Sequence, residues 1–593
     1  MLFFLFNIII ESTLGKGNII QMKKIVQAIK CNKKIHYLII IITALISAIP
    51  LIKMQVALGD DGTHHILRIM AIDKIMKIGE FPQYISPDYC TGFGYAVCLF
   101  YNPIVTYIPY IIKLFTTHYY TALKIYSLFT IIVSAFTMYK FAEGVSKRQD
   151  IALVAAMIYT LFPYKMETIY DRFAIGEFSA YMFIPIVFLG LYNVIKEDGK
   201  KNYLIPLGAI GLMLTHTITT EYTAFFCLLY VLFNFKVIKQ KEIIKKFVLD
   251  VLIILGATAF FIVPIFEHKI STEYVIFTPD LICTTGEYAQ EHAISVKQLF
   301  VDAESDGVSF KIGVPIIILV LLGILSYKKI DKNIKDDYVL WFFFAAISII
   351  MCLKIFMWKL LPNFLCTLQY PWRMLEFFGF FISIVCAFNL CTFIDNFKKV
   401  DEVIKNCIFL LSIVLITTLS IPMITRYDVP EKLSNIDEKY ENMILEENMK
   451  ISHWGINRDY LPVKALMVQK TYLMTREDRV YVLTGSATIE DENKENLDMK
   501  FKVKNTEEGT VLELPYIFYL GYDVTIKNGE ETIKLETFES DNGFVACKIP
   551  KNIEEAEVLV NYNGTTVEKV SYLISIVTVV LCIAYLINKK RVC

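Results

Sequence analysis

Charge is scarce in this chain: Asp, Glu, Lys and Arg make up 20% of 593 residues, against 55% hydrophobic residues. A soluble core of this size does not require so much apolar material, so lipid must cover the surplus. Net charge is also absent, with 59 basic and 59 acidic residues, and this excludes the electrostatic footprint of a nucleic-acid partner. The thirteen cysteines include no C-x-x-C pair, which excludes the usual zinc ribbon and dithiol redox site. Scattered singly through apolar runs, they read as small core residues. Cys90 and Cys98 share one loop and are the pair that could form a disulfide.

What is abundant is apolar sequence in runs of membrane-crossing length. A helix needs roughly 20 apolar residues to cross a bilayer, and by that measure spans lie near 36–55, 120–142, 151–166, 180–196, 203–219, 220–236, 247–266, 312–327, 338–357, 373–394, 405–424 and 571–588. Alternate connections are basic: Ser146-Lys147-Arg148, Lys196 to Lys201, Lys236 to Lys246, Lys328 to Lys335, Lys398 to Lys405 and Lys589-Lys590-Arg591. The positive-inside rule makes these cytoplasmic. Twelve spans then put both termini inside and leave 57–119, 167–179, 267–311, 358–372 and 425–570 outside. The expected organisation is a cytoplasmic N-terminus 1–35, an all-α polytopic membrane bundle 36–424, an outer domain 425–570, and a last helix with its tail over 571–593. Leu2 to Ile10 is too short to span, and Met22, followed by Lys23-Lys24, is an alternative start.

Segment 425–570 carries 28 acidic residues against 18 Lys and Arg, which suits an outer location. Its later half alternates apolar and polar residues in short runs, such as Phe501-Lys-Val-Lys and Tyr522-Asp-Val-Thr-Ile. Asn528-Gly529, Asp541-Asn542-Gly543 and Asn563-Gly564 punctuate it as hairpin turns, so a small β-sandwich is expected. Asn563-Gly564-Thr565 also matches a glycosylation acceptor, but the turn is the preferred reading.

The polar chemistry gathers at outer ends of spans. Asp60 and Asp61 follow the first span directly and precede His64, His65 and Arg68 on a predicted interfacial amphipathic helix starting near Thr63. One of these carboxylates either caps that helix, or acts as general base or divalent-cation ligand beside a lipid head group, with the histidines and arginine binding phosphate. Asp171-Arg172 with Glu177 is either an ion-paired helix end or part of a substrate site. His216 is expected to hydrogen-bond a neighbouring helix or to touch a ligand. Arg373, at the start of a span with Glu376, suits phosphate binding or snorkelling to lipid.

The order D-D-x-x-H-H-x-x-R from Asp60, G-x-F-P from Gly79, G-F-G-Y from Gly92 through Tyr95, and F-Y-N-P from Phe100 through Asn102 resembles a bacterial membrane family labelled 6-pyruvoyl-tetrahydropterin-synthase-related. The helical membrane body and the lack of a His-triad zinc site do not fit the soluble pterin enzyme. The first outer loop is instead similar to that of the GT-C glycosyltransferases. Further matches lie at Tyr170 to Glu177, Leu214-Thr215-His216 and Leu368-Gln369-Tyr370-Pro371-Trp372-Arg373, and Leu514 to Tyr522 with the hairpins and last span also resembles the end of YfhO-type proteins of the same class.

That resemblance implies a GT-C-like bundle in the cytoplasmic membrane that moves a sugar from a polyprenyl-phosphate donor to an extracytoplasmic glycan, lipid or protein acceptor. It implies Asp60 or Asp61 as catalytic base, and His64, His65, Arg68, Tyr95, Asn102, Asp171, Arg172, Glu177, His216, Gln369 and Arg373 as substrate or phosphate contacts. No cofactor is called for beyond a divalent metal that these carboxylates could hold. The rival reading is a non-catalytic scaffold or transporter for envelope polymers. Transporters concentrate ionisable residues at mid-membrane and carry internal repeats; here the charged clusters lie in loops and no repeat is visible.

Overall fold

A computed structural model describes residues 30, 32–52, 59–79, 84–197, 203–302, 307–427, 458–467, 470–529 and 531–592. The Leu2 to Ile10 run, the alternative start at Met22, residues 80–83 of the G-x-F-P motif and residues 428–457 of the outer segment lie outside the described residues. The chain divides into two compact units: 1–62 with 123–250 and 284–436, and 63–122 with 251–283 and 437–593.

Each of the twelve expected spans carries helix. Among the described residues, five helices are long and apolar enough to cross a membrane: Tyr119–Ser146, Ile175–Lys196, Pro371–Asp395, Glu402–Thr425 and Thr566–Asn588. A sixth crossing exists if Lys241–Ala257 and Ala259–Ser271, bent by 73° at their junction, count as one. The Thr566–Asn588 helix leaves Leu573, Leu581 and Tyr585 each more than 60% exposed, an apolar surface that only lipid or another apolar partner can cover.

The core of the first unit centres on the Leu375–Asp395 helix, which is buried over almost its whole length. Trp341 stacks on Tyr230 and Phe381 there, and Asn389 accepts from Tyr338 Oη at 2.8 Å while donating to Leu319 O at 3.1 Å. The polar side chain is thereby satisfied within apolar surroundings. Gly190 lies against the backbone of Leu204 and Ile205, where a Cβ would clash, so small residues let these helices approach closely.

Charged loop residues gather at the two ends of this unit. At one end Lys33 pairs with Glu143, Lys147 with Glu197, Arg148 with Asp150 and Asp395, and Lys196 with Asp337. These are the connections expected to be cytoplasmic. The opposite helix ends bring together Asp60, Asp171, Glu177, Arg373 and Arg426 and form the site described below.

Among the described residues of the second unit, nine strands form two antiparallel sheets. One has the order β1 (Tyr481–Thr484), β4 (Val511–Ile517), β8 (Phe544–Lys548), β7 (Thr537–Glu539). The other runs β2 (Thr488–Glu495), β3 (Asp498–Lys504), β9 (Glu555–Tyr562), β5 (Tyr522–Asn528), β6 (Glu531–Leu535). Alternation along β3 buries Met499, Phe501 and Val503, and along β9 it buries Ala556, Val558 and Val560. Asn528-Gly529 and Asp541 to Gly543 are hairpin turns as expected.

Asn563-Gly564 is not a hairpin. It joins β9 to the last helix, whose first turn is closed by reciprocal bonds: Glu568 N donates to Thr565 Oγ1 at 3.0 Å and Thr565 N to Glu568 Oε2 at 2.9 Å. This is the capping-box arrangement, in which an apolar run after T-x-x-E starts a helix rather than another strand. Cys90 and Cys98 are both free thiols, not a disulfide. Their loop is held by other means: Ser86 pairs with Tyr95 through backbone bonds of 2.9 and 3.0 Å, and Ile517 N donates to Phe93 O at 2.9 Å.

Candidate functional site

Pro163 occupies the first turn of the Pro163–Tyr170 helix, where its missing N–H costs nothing. The helix stops at Asp171, and Phe173 takes a left-handed φ of 49° before helix resumes at Ile175. That break frees the Asp171 and Arg172 carbonyls, which accept the N–H groups of Asp60 at 3.1 Å and Asp61 at 2.9 Å. Gly59 makes the approach with φ 57°, and a Cβ there would overlap the Asp171 carbonyl. Residues 111 positions apart in sequence, each suspected from its place at a span end, are thus joined through backbone.

Behind this contact lies a buried polar network. Glu177 is 1% exposed; Tyr164 donates to its Oε1 and Arg172 to its Oε2 at 2.6 Å. Arg373 Nε is 3.8 Å from the same Oε2, and its terminal nitrogen donates to Leu368 O at 2.8 Å and Gln369 Oε1 at 3.0 Å. The Arg172 guanidinium lies 4.7 Å over the Trp372 ring. Glu376 accepts from Thr219 Oγ1 at 2.7 Å, and that hydroxyl sits 2.7 Å from Nδ1 of His216, which caps the Thr217–Phe233 helix. Glu177, His216, Thr219, Tyr222, Arg373 and Glu376 line one narrow cleft.

Six members of this region were not singled out from the sequence: Tyr164, Glu167, Thr219, Tyr222, Arg426 and Tyr427. Glu167 is fully buried, accepts from Tyr427 Oη at 2.6 Å and pairs with Arg426 at 3.0 Å. Burial pushes its carboxyl up to about 7 despite those partners. Asp171, four residues on, is also raised, chiefly by burial. Asp60 is raised by partial burial and by the charge of Asp61, with Arg172 opposing. The signals available were the four-residue spacing of Glu167 and Asp171 and the Arg-Tyr pair immediately after a span. Next to this cluster, Ile158, Leu161, Pro163, Ile317, Leu419 and Met423 line an apolar cavity of about 410 Å³, with Lys311 also on its wall.

His64, His65, Arg68, Tyr95 and Asn102 belong to the second unit. The Gly62–Ile78 helix is not the interfacial amphipathic helix expected: it buries every residue from His65 to Ile69, then Ala71, Ile72 and Ile75, more than a single stripe. Arg68 donates to His65 Nδ1 at 3.1 Å and lies 3.8 Å over the Tyr101 ring. Burial, and then the Arg68 charge, push His64 down to about 4, so it is neutral at pH 7. Tyr95 stacks on Tyr460 and accepts its N–H at 3.2 Å, while the Asn102 carbonyl accepts from Thr106 Oγ1 at 3.2 Å. Among the described residues, Asp60, Asp61 and Asp171 do not form a three-ligand metal cluster; one such cluster occurs elsewhere.

No family model matches the chain. A protein of Lactococcus lactis subsp. cremoris (strain MG1363), described as uncharacterized, is 23% identical over 595 residues, covering 93% of this chain and 95% of its own length. The apo crystal structure of the Archaeoglobus fulgidus oligosaccharyltransferase aligns with a TM-score of 0.38 and 12% identity, over 70% of this chain and 60% of that one. Likeness of that size assigns neither fold nor activity.

Proposed function

We propose that the chain is a multi-pass membrane glycosyltransferase of GT-C-like, twelve-span architecture, which moves a sugar from a polyprenyl-phosphate donor to an acceptor outside the cytoplasmic membrane. The observation that carries this reading is the juncture of Asp60-Asp61 with Asp171-Arg172, which sets ionisable carboxylates beside the Arg172 and Arg373 cations at one end of an apolar helix bundle. Bases next to anion-binding groups, at the depth of a lipid head group, match the needs of lipid-phosphate chemistry. The motifs from Asp60 to Arg373 whose order and loop arrangement resemble GT-C glycosyltransferases add to it, as does the apolar cavity of about 410 Å³, which suits an isoprenoid chain.

In this mechanism Asp60 or Asp61 takes the proton of the acceptor hydroxyl as its oxygen bonds to the anomeric carbon. The bond from that carbon to the donor phosphate breaks, and the phosphate leaves with the electron pair, its charge offset by Arg373 and Arg172. Asp60 is the more exposed of the two carboxylates. Its raised pKa makes it the stronger base once ionised. Mass spectrometry of envelope glycans, with and without the gene, tests the assignment: loss of one glycan structure on deletion, restored by wild type, is expected. An unchanged glycan profile contradicts it.

A further inference from the structure

Within the second unit, the Ala259–Ser271 helix packs along the last helix, Thr566–Val592. Ser575 accepts from Phe260 N at 2.9 Å and donates to Gly256 O at 3.0 Å. Where the pair begins, Glu267 and His268 meet Glu568. One ligand-capable atom from each lies within 4.8 Å of the other two, the one group of three such side chains among the described residues.

Its hydrogen bonding sets this cluster apart from an ordinary acidic helix end. His268 is fully buried, and its Nδ1 lies 2.9 Å from Pro264 O. A carbonyl only accepts, so Nδ1 carries the proton of the neutral ring and Nε2 presents a lone pair; Nε2 has no hydrogen-bond partner. Glu568 is 4% exposed, with Oε2 held by Thr565 N and Oε1 without a partner. Glu267 accepts from Thr565 Oγ1 at 2.7 Å. Neither carboxylate is ion-paired with Lys or Arg among the described residues. Burying the His268 lone pair and the Glu568 carboxylate beside the half-buried Glu267, without a counter-charge, is costly, and a bound cation removes that cost.

We propose that Glu267, His268 and Glu568 bind a divalent cation of the zinc class, which ties the last helix to the Ala259–Ser271 helix. The imidazole donor favours zinc over magnesium or calcium, which take oxygen ligands. The bonds from Pro264 and Thr565 are the outer contacts that fix ligand orientation in such sites. Three protein donors leave a fourth position for water. Nothing in the sequence advertised this, because Glu568 is 300 residues from His268.

The test uses the full-length chain in detergent, free of any histidine tag, stripped with EDTA and then titrated with zinc chloride alone. One zinc per chain is expected by elemental analysis, with an X-ray absorption spectrum fitting nitrogen and oxygen ligands without sulfur. His268→Gln should weaken zinc binding by about 10²-fold or more. Glu568→Gln should weaken it too, because glutamine keeps the cap but loses the charge. If His268→Gln does not fold, Glu267→Gln decides in the same assay. Failure to retain stoichiometric zinc in the wild type, or retention of full affinity in the variants, overturns the proposal.

Discussion

Glu177 is the residue on which the buried network turns, since Tyr164, Arg172 and Arg373 all direct polar atoms at it. Removing one partner of a buried pair strands the other, so Glu177→Gln is expected to cost about 3–5 kcal/mol, whereas replacing Glu177 and Arg172 together by apolar residues should cost less. Thermal denaturation in detergent measures both, and an unchanged midpoint for the single variant contradicts the network. Glu167 makes a pH prediction. Its folded pKa, about 7, stands above its unfolded value, so its contribution to stability is full below the unfolded pKa and is lost as pH rises through about 7. Wild-type protein should therefore lose stability between about pH 4.5 and 7, and Glu167→Gln should flatten that slope. Asp171 and Glu177 were legible because charges beside apolar runs stand out. Glu167 was not, because a single carboxylate inside a helix looks like a solvated face until Arg426 and Tyr427, some 260 residues later, are brought against it.

Secondary elements followed the sequence where one signal acted alone and departed from it where two competed. Period-two alternation and Asn-Gly turns were sufficient for the strands, and apolar length was sufficient for the helices. Asn563-Gly564 carried both a turn signal and a T-x-x-E cap, and the cap prevailed because a largely apolar run, Val570 to Ile587, follows it. Among the described residues of the second unit, one ion pair has both side chains fully covered: Arg476, just before β1, with Glu513 of β4 at 3.2 Å. Tyr472, Ser540 and Asn542 satisfy the remaining Glu513 lone pairs. Arg476→Met is expected to destabilise the fold by about 3–5 kcal/mol, seen as faster protease cleavage within 478–562; cleavage at the wild-type rate would show the pair to be dispensable.

Across the molecule, alternation of basic and acidic loops predicts topology. The ion pairs Lys33–Glu143, Lys147–Glu197, Lys196–Asp337 and Arg148–Asp395 join four of the connections expected inside. Reporter fusions at Lys147, Lys239, Lys332 and Lys399 should read cytoplasm, and fusions at Asp88, Glu291 and Asn496 the outside; two or more reversed sites contradict the twelve-span proposal. The charge rule is what predicts this organisation from the sequence. The joining of 59–61 to 171–172 was not, because a backbone contact leaves no trace in side-chain composition.

The proposed reaction stands most directly on Asp60 and Asp61. Asn caps a helix about as well as Asp and keeps its size, but does not accept a proton. Glycan transfer by cells carrying the Asp60→Asn, Asp61→Asn double variant, at wild-type protein abundance, is therefore the deciding measurement. The proposed mechanism predicts a fall of roughly 10²-fold or more, with one single variant reproducing it and so naming the base. Full transfer by the double variant would contradict a catalytic role for either carboxylate.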